Sequence, residues 1–446
     1  MRRVVKVSRI RIIITIIVVV LTTLLTGCTG KEPNEIAYVV ALGIDSTDDD
    51  NYKITIQYAN TTQISGGASE SGGKAGSEIV DNVTIEAPNI YAGVGLANNI
   101  VSKSFSMSHA KLIVFSKEIA EKGVKDMIET LVRSEEIRPD VFIAVANTTA
   151  NDYLTSVNPE MEVNPAQYYQ LIYQKNQLVG IPDGQLREFF TGLYTDNYDS
   201  ILPVAGVIEG SGSNRQNDDK GQSKDGQNEG SEGSSESLDS FESKSSDDKD
   251  ENEKEKDAEK NTSKYEYDIK NYVGGETAIE KKNKAEAIGA AVFEKDKMVG
   301  ELGEVETEIC KILKGDYTYS YLTYYNNDTP DIPITVKTTQ QKKPKYKIDT
   351  DKKTVDIELY IESDLYSLPA DYNVENKIED FERDVANYTS SACTEFINNF
   401  TKKYNSDILK LNEKVKYKFL TNNQYNWFKK NVGWSEYKFS VCTNFK

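Results

Sequence analysis

The chain has 446 residues, of which 28% are charged, and its formal net charge at pH 7 is −18. So acidic a chain is repelled by nucleic acid, which excludes nucleic-acid binding as its main activity. The length is too great for one ordinary hydrophobic core, so we expect two or three domains.

The first 27 residues have the layout of an export signal. Basic side chains precede the apolar run IIITIIVVVLTTLL, and small residues follow it. The run is about 14 residues long, short of the roughly 20 residues that span a bilayer as a helix. Residues Leu25–Cys28 fit a bacterial lipobox. We predict a signal peptide over residues 1–27, cleavage between Gly27 and Cys28, and a diacylglyceryl lipid on Cys28; an uncleaved transmembrane segment ending in cysteine is the alternative.

A lipid on Cys28 would hold the chain firmly on a bilayer. Each buried acyl methylene contributes about 0.8 kcal/mol, so two long chains anchor far more strongly than one. Residues 1–27 carry five basic and no acidic side chains, so the chain from Cys28 has a net charge of −23. Anionic headgroups repel such a chain, and no second apolar run reaches spanning length. We therefore expect the lipid to be the sole feature that attracts the chain to a membrane.

The first elements after the lipobox form a predicted hairpin. Ala37–Asp45 and Tyr52–Ala59 are apolar, β-branched stretches joined by the polar turn STDDDN. The aspartates at Asp45 and Asp48–Asp50 suggest calcium binding. They lack the alternating spacing, central glycine and closing glutamate of an EF-hand loop. We expect a charged hairpin tip.

The next unit predicts a parallel β-α-β arrangement. Helical spacing marks residues 89–102, and residues 109–116, HAKLIVFS, read as a strand. Residues 117–137 predict one amphipathic helix, which Arg138-Pro139 ends, and residues 141–146, VFIAVA, return as a buried strand. Strand, helix and strand at this spacing favour a right-handed parallel unit. Further helices are predicted in NPAQYYQLIYQKNQ and LREFFTGLY.

Residues 209–263 are predicted to be a disordered linker. They hold 17 acidic and 8 basic side chains, with Phe241 as the only aromatic residue. Such a segment cannot bury enough apolar surface to offset the entropy of ordering.

The C-terminal part predicts a sheet with a long helix. Ile288–Phe293 and Met298–Leu302 read as a hairpin about EKDK, followed by a short helix. The runs YTYSYLTYY, DIPITVKTT and TVDIELYIES alternate and predict antiparallel strands, and EYKFSVCTNF predicts an edge or final strand. A long helix from about Val374 to Tyr404 packs on them. The candidates for its buried stripe are Ile378, Phe381, Val385, Tyr388, Cys393, Phe396 and Phe400.

These elements predict a multidomain α+β or mixed α/β fold, with mixed sheets flanked by helices and a C-terminal antiparallel sheet under a long packed helix. The predicted divisions are the signal peptide over 1–27, a mixed α/β region over 28–208, the linker over 209–263 and an α+β domain over 264–446. The first region can divide further into about 28–150 and 151–208, the latter with part of 264–287.

Signatures of catalysis and metal binding are missing from the sequence. His109 is the single histidine, which excludes histidine-pair metal sites, and no GxSxG elbow accompanies it, so we interpret it as structural. Cys310, Cys393 and Cys442 form no CxxC pair. We interpret these thiols as small buried hydrophobes, with one disulfide among them as the alternative. The sequence predicts no catalytic residue, cofactor or metal, and favours a binding or structural role.

Four stretches carry a resemblance to one known family. They are the lipobox, EIAYVVALGID soon after it, the core block SHAKLIVFSKEIAEKGVKDMIETLVRSEEIRPDVFIAVA, and AIGAAVFEKDKMVGEL taken with YNSDILKLNEKVKYKF and WFKKNVGWSEYKFSV. Through them the chain resembles the Ger(x)C family of spore germination lipoproteins, the C subunits of GerA-type nutrient germinant receptors. The core block, with His109, Lys111, Arg133, Ile137 and Arg138-Pro139, is the most specific part. The acidic linker departs from the family pattern in its length and charge.

The resemblance implies a subunit held through Cys28 on the outer face of the spore inner membrane, acting with two membrane-embedded partners, the A and B receptor subunits. It implies several mixed α/β domains and no enzymatic activity, and Cys28 is the one functional residue it assigns. Our first hypothesis is a non-catalytic subunit that contributes to assembly or signal transmission. The second is an envelope solute-binding lipoprotein that binds the nutrient directly; an envelope hydrolase is disfavoured by the missing nucleophile motifs.

Overall fold

A computed structural model describes residues 13–18, 35–49, 51–60, 80–159, 162, 164–174, 180–195, 197–208, 271–277, 283–326, 329–367 and 378–445. The predicted cleavage site, Cys28 and the acidic linker over 209–263 lie outside these ranges. The sheets and helices below belong to one compact unit, formed by residues 1–209 and 269–446.

The N-terminal module contains a nine-stranded mixed sheet, in the order β3-β2-β1-β5-β6-β7-β8-β9 with β4 beside β1. Strands β1, β5, β6 and β7 run parallel, whereas β2 and β3 at one end and β8 and β9 at the other pair antiparallel. The strands are β1 (Ile36–Ser46), β2 (Tyr52–Ala59), β3 (Val80–Ala87), β4 (Ser104–Ser106), β5 (Leu112–Ser116), β6 (Phe142–Ala146), β7 (Ile201–Val207), β8 (Ala285–Glu294) and β9 (Lys297–Leu302).

Helices cover both faces of this sheet. The central strands β5 and β6 are buried along their whole length, which explains their continuously apolar sequences. Their alternate side chains point to opposite faces and enter separate cores. Helices α1, α2, α3 and α6 lie on one face, and α4 and α5 lie on the other. They are α1 (Ile90–Ala97), α2 (Lys117–Lys122), α3 (Lys125–Val132), α4 (Ala150–Ser156), α5 (Pro165–Tyr173) and α6 (Leu186–Thr195).

The single helix predicted over 117–137 is wrong, because two helices, α2 and α3, occupy this stretch. Gly123 caps α2 with φ of +122°, a value that L side chains rarely adopt. The next amide, that of Val124, donates to the carbonyl oxygen of Asp296 at 3.0 Å. The Val124 amide therefore bonds to the turn between β8 and β9, whereas in a continuous helix it would bond to a carbonyl group four residues earlier.

The C-terminal module is a four-stranded sheet in the order β10-β11-β12-β13. The long helix α8 packs on it, and its buried side chains meet those of β12 and β13. The elements of this module are α7 (Glu304–Lys314), β10 (Tyr319–Asn326), β11 (Thr329–Asp349), β12 (Thr354–Ser367), α8 (Ile378–Lys403), α9 (Leu411–Val415), α10 (Asn422–Asn431) and β13 (Lys438–Phe445). Short 3-10 turns at Lys416–Lys418 and Trp434–Glu436 flank α10.

The C-terminal sheet is mixed rather than wholly antiparallel. Strands β10, β11 and β12 pair antiparallel as predicted, but β13 runs parallel to β12. The chain leaves β12, passes through α8 and returns to the same sheet, and a helical crossover of this kind brings two strands parallel. The final segment is an edge strand, as predicted.

The predicted hairpin at residues 288–302 is confirmed, but it belongs to the first sheet. Strand β8 pairs antiparallel with β7, and β9 forms the edge of the nine-stranded sheet. Residues 285–302 thus complete the N-terminal module, although they follow the acidic segment in sequence.

Two predicted side-chain environments are wrong. Ile378 opens α8 with 52% of its surface exposed, whereas the other six predicted stripe residues of that helix are buried. Asp45 does not lie at the hairpin tip. Its buried carboxylate accepts hydrogen bonds from the amides of Ala150 and Asn151, at 2.6 and 3.0 Å, and so caps the start of α4. Among the described residues, no helix is long and apolar enough to cross a membrane.

We expect Gly123→Ala to lower the free energy of unfolding by about 1–3 kcal/mol, because φ of +122° strains an L residue. Its added Cβ would also lie 2.7 Å from a carboxylate oxygen of Asp296. Gly95→Ala is the matched control: Gly95 lies in α1, a Cβ there meets nothing within 4 Å, and the change should stabilise by about 0.5–1 kcal/mol. Urea unfolding followed by circular dichroism measures both. Equal shifts in the same direction would contradict the assignment.

Candidate functional site

A pair of aspartates joins the two modules. Asp199 lies between α6 and β7, and Asp407 lies between α8 and α9. The Asp407 amide donates to Oδ2 of Asp199 at 2.8 Å, and the Asp199 amide donates to the Asp407 carbonyl oxygen at 3.2 Å. The other carboxylate oxygen of Asp199 accepts from the amide of Lys295 at 2.9 Å, in the turn of the β8–β9 hairpin. Asp199 therefore bonds three segments together.

The Asp407 side chain holds the turn that begins α9. Its two carboxylate oxygens accept from the amides of Leu411 and Asn412, both at 2.8 Å. The residue is buried. We call Asp199, Asp407 and these bonded amides the aspartate joint.

Burial governs the ionisation of the joint. It raises the pKa of the Asp407 carboxyl to about 7, with Asp199 adding to the rise and the amides of Asn412 and Leu411 opposing it. Burial likewise raises the pKa of Asp199, against the amide bonds from Lys295 and Asp407. The two carboxyls thus resist simultaneous ionisation, since burial and mutual repulsion both disfavour charge.

Further polar contacts surround the joint. The Ser406 hydroxyl donates to the carbonyl oxygen of Phe293 at 2.9 Å, and Nδ2 of the Asn405 side chain donates to Glu294 Oε1 at 3.0 Å. Across the same boundary, the Tyr425 hydroxyl donates to Asn197 Oδ1 at 3.1 Å. The hydrophobic core of the C-terminal module also includes side chains from the N-terminal sheet, namely Ile201, Ala290, Val292 and Leu302. The modules therefore share buried apolar surface as well as hydrogen bonds.

A cleft of about 480 Å³ opens beside this boundary. The loop before α6, the end of α7 and the segment before α9 form its walls, and it is rich in charged groups. Its lining residues are Pro182, Asp183, Glu188, Ile201, Lys311, Lys314, Gly315, Asp316, Tyr317, Thr318 and Lys410.

Two of the cleft lysines are committed to protein partners. Lys410 donates to Glu188 Oε1 at 2.5 Å, and its ammonium lies 4.2 Å from the ring centroid of Tyr198. Burial raises the pKa of Glu188, but the bond and charge of Lys410, with nearby cations, outweigh burial and leave the pKa below its ordinary value. Lys311 donates to the carbonyl oxygen of Ile181 at 2.9 Å, and burial lowers its pKa.

The cleft also presents groups of both charges. Lys314 ends α7 and is half-buried, while Asp183 and Asp316 are more exposed. A cation with two nearby acids suits a small molecule that carries both charges. Such a site binds by charge and hydrogen bonds.

The residues singled out from the sequence lie elsewhere. Cys28 is outside the described ranges. His109 is exposed, with its ring 4.8 Å from the ring of Tyr38 and Nδ1 3.0 Å from the Ser108 hydroxyl. No group of metal-binding side chains occurs within the part of the chain that the structure describes.

The three thiols are free. Cys310 and Cys393 are buried, as predicted, and burial raises their pKa values to about 11 and about 12. Cys442 is exposed, so its predicted burial is wrong. It lies on β13, the edge strand, where alternate side chains face solvent.

Sequence reasoning missed the aspartate joint and the Glu188–Lys410 pair. The joint combines residues 208 positions apart, and the ion pair combines residues 222 apart. Asp407 does precede an apolar turn, as helix-capping residues do, but 71 acidic side chains offer many such matches.

Both modules match models of one family. Residues 30–207 match the family model described as "Spore germination protein N-terminal domain", and residues 288–446 match "Spore germination B3/ GerAC like, C-terminal". These two matches, one to each module, define a two-part α+β spore germination protein. The chain belongs to the Ger(x)C family, the C subunits of germinant receptors.

Individual relatives are more distant. Spore germination protein KC of Bacillus subtilis is 26% identical over 174 residues, which are 36% of this chain and 42% of that protein. The putative spore germination protein YfkR of the same species is 28% identical over 145 residues, 32% of this chain and 37% of that protein. The matched regions thus span about two fifths of these relatives. The crystal structure of the GerBC protein aligns with 91% of this chain and 96% of its own, at 15% identity and a TM-score of 0.48.

We expect Asp407→Asn to destabilise the protein more at pH 5 than at pH 8. At pH 5 the substitution replaces one of the two side-chain oxygens that accept from the amides of Leu411 and Asn412 with an NH2 donor. This should lower the free energy of unfolding by about 1–3 kcal/mol. The wild-type carboxyl has a folded pKa of about 7 against an ordinary 3.8, so the folded state binds the proton more tightly. The stability this gives is present below pH 4 and is lost as pH rises through 7.

Urea midpoints of both proteins at pH 5 and pH 8 measure this difference. The comparison cancels the titration of groups that do not interact with Asp407, which both proteins share. A larger destabilisation at pH 8 than at pH 5 would show that the folded protein favours the charged carboxylate.

Proposed function

We propose that the protein is a non-catalytic, lipid-anchored subunit of a nutrient germinant receptor, which contributes to receptor assembly or signal transmission in spore germination. The observation that carries the proposal is that both halves match the two family models while the aspartate joint bonds those halves to each other. A part that relays a displacement between partners must move as one body, and the joint and shared core favour such behaviour. The proposed partners are the membrane-embedded A and B receptor subunits.

The proposed anchor is a diacylglyceryl group on Cys28, left as the first residue after cleavage behind Gly27. Ile36, the first residue of β1, follows eight positions later. Eight residues span at most about 30 Å, so the anchor would keep the folded unit close to the bilayer on the outer face of the spore inner membrane.

We expect Cys28→Ala, introduced at the native locus, to release the protein from spore membranes and to slow germination with the nutrient that this receptor senses. Loss of acylation removes the dominant membrane attachment. Membrane fractions should be washed with 1 M salt before immunoblotting, because salt screens any remaining electrostatic adhesion. Cys442→Ala is the matched control, since this exposed thiol lies on an edge strand and should leave both properties unchanged. Normal germination with Cys28→Ala would contradict the proposal.

The cleft supports a second candidate, an envelope solute-binding lipoprotein that binds the nutrient directly. Its charged lining and volume of about 480 Å³ would accommodate a small zwitterion such as an amino acid. In this candidate Lys314 faces the carboxylate, and Asp183 and Asp316 face the ammonium group.

Calorimetry of the chain from residue 29 with individual amino acids and sugars separates the candidates. Saturable binding of a solute to the chain without partners is expected only for the solute-binding candidate. That binding should be lost in Lys314→Ala and retained in Lys352→Ala. Lys352 is the control because it is an exposed lysine in the turn between β11 and β12, outside the lining of the cleft. For the receptor-scaffold role we expect no heat of binding from any of these solutes.

A further inference from the structure

A basic and aromatic segment near the C-terminus is exposed. We call residues 416–431, with sequence KYKFLTNNQYNWFKKN, the lysine-aromatic segment. Three of its large apolar side chains face solvent: Tyr417 is 78% exposed, Leu420 94% and Trp427 68%. Exposing side chains of this size to water is unfavourable, and several together in a short segment mark an interaction surface.

The segment is held in place from beneath. The ring of Phe419 packs against those of Tyr425 and Phe428, with centroids 5.9 and 4.9 Å apart. Phe428 in turn lies against buried Trp434, at 6.1 Å. This aromatic stack fixes the backbone of the segment. The exposed side chains of Leu420 and Trp427 therefore project from a fixed position on the surface.

The segment has the opposite charge to the chain around it. It contains four lysines and no acidic residue, within a chain of net charge −18. Lys416 and Lys430 are exposed. The other two lysines have protein acceptors: the Lys418 ammonium donates to the carbonyl oxygen of Ile348, and the Lys429 ammonium donates to the carbonyl oxygen of Thr195 at 3.0 Å and to Asn197 Oδ1 at 3.1 Å. The ammonium groups of Lys416 and Lys429 lie 5.8 and 5.0 Å from the ring centroid of Tyr425, which brings these two lysines to one place on the surface.

We propose that the lysine-aromatic segment docks on the surface of an anionic phospholipid bilayer, so that the lipid is not the sole feature that attracts the chain to a membrane, contrary to the expectation from net charge. Lysines attract anionic headgroups, and tryptophan and tyrosine favour the boundary between headgroups and acyl chains. Lysine stems can also lie along apolar surface while the ammonium groups reach the phosphates. The ammonium groups of Lys416 and Lys430 and the exposed side chains of the segment can therefore each contact such a membrane.

A bilayer fits the composition better than a protein partner does. The cores of protein interfaces are enriched in aromatic residues but depleted in lysine, because burying an ammonium group is costly. A membrane surface leaves the ammonium groups hydrated while the rings enter the interface. Lysines lie at both ends of the segment, and the exposed rings of Tyr417 and Trp427 lie within three residues of them in sequence, a combination typical of interfacial segments.

Weak affinity suffices for this docking. The inference rests on the proposed function in one respect, that the lipid at Cys28 keeps the folded unit near the bilayer. A short tether of that kind gives an effective concentration of about 1 mM or more, so the segment would engage without strong binding of its own. Two attachment points would then restrict the orientation of the protein, which a single flexible anchor cannot do.

The test uses the chain from residue 29, which lacks the lipid and retains every strand and helix of both modules, from Ile36 to Phe445. It is mixed with vesicles of phosphatidylcholine alone or of phosphatidylcholine with anionic phosphatidylglycerol, and co-sedimentation is measured at low and high salt. We expect binding to the anionic vesicles only, weakened at least tenfold by Lys416→Glu/Lys430→Glu and by Leu420→Ser. The matched controls Lys122→Glu/Lys297→Glu and Ile100→Ser change exposed residues of the N-terminal module and should bind like wild type.

Fluorescence gives a second readout. Trp427 and Trp434 are the two tryptophans of the chain, and Trp434 is only 7% exposed. In a Trp434→Phe background, the emission maximum of Trp427 should shift to shorter wavelength on anionic vesicles. Brominated acyl chains should quench that emission. If this variant misfolds, quenching of the exposed fraction in the wild-type chain serves instead.

Three results would overturn the proposal: no binding to anionic vesicles, equal binding by all variants, or binding without a change in the fluorescence of Trp427. A segment that failed here but was needed to co-purify the membrane subunits would be a protein-binding surface instead. The outcome is independent of the Cys28→Ala experiment, because the tested chain carries no lipid.

Discussion

The structure depends on the bonding of Asp199 to the backbone of Asp407. These residues exchange amide hydrogen bonds in both directions, and each carboxylate also binds amides of a neighbouring turn. A buried carboxylate that accepts several amide hydrogen bonds is costly to leave unpaired, so the joint stabilises one relative placement of its segments and penalises others. This placement buries the Asp407 carboxyl, and because burial disfavours the charged form, the pKa of that carboxyl is raised.

The joint accounts for the position of the β8–β9 hairpin. This hairpin follows the acidic segment in sequence, yet it completes the N-terminal sheet, and its turn binds both Asp199 and the break between α2 and α3. Side chains of β7, β8 and β9 also enter the core of the C-terminal module. The two family-matched halves are thus built into one body, which supports the role in receptor assembly or signal transmission proposed above. An acyl group at one end and the lysine-aromatic segment at another place would fix that body against a bilayer.

Local sequence patterns predicted most helices and strands. They failed for features that depend on contacts between residues far apart in sequence. The apolar strands β5 and β6, the hairpins and the stripe of α8 follow from periodicity, which reports on burial directly. The division at Gly123 was missed because it depends on a carbonyl group in a distant turn, at Asp296. The parallel pairing of β13 was missed because register and direction are set by the crossover and not by the strand's own residues. The joint and the cleft combine distant residues of common types, so no local pattern marks them, whereas the family was recognisable from contiguous blocks.

If the aspartate joint makes the two modules one cooperative body, native-state amide hydrogen exchange should detect a single opening unit. In the wild-type chain from residue 29, the most protected amides of β5 and β6 and those of β12 and α8 should open with the same free energy. In Asp407→Ala the C-terminal set should open separately and at lower free energy. Separate opening of the two sets in the wild-type protein would show that the joint does not couple the modules.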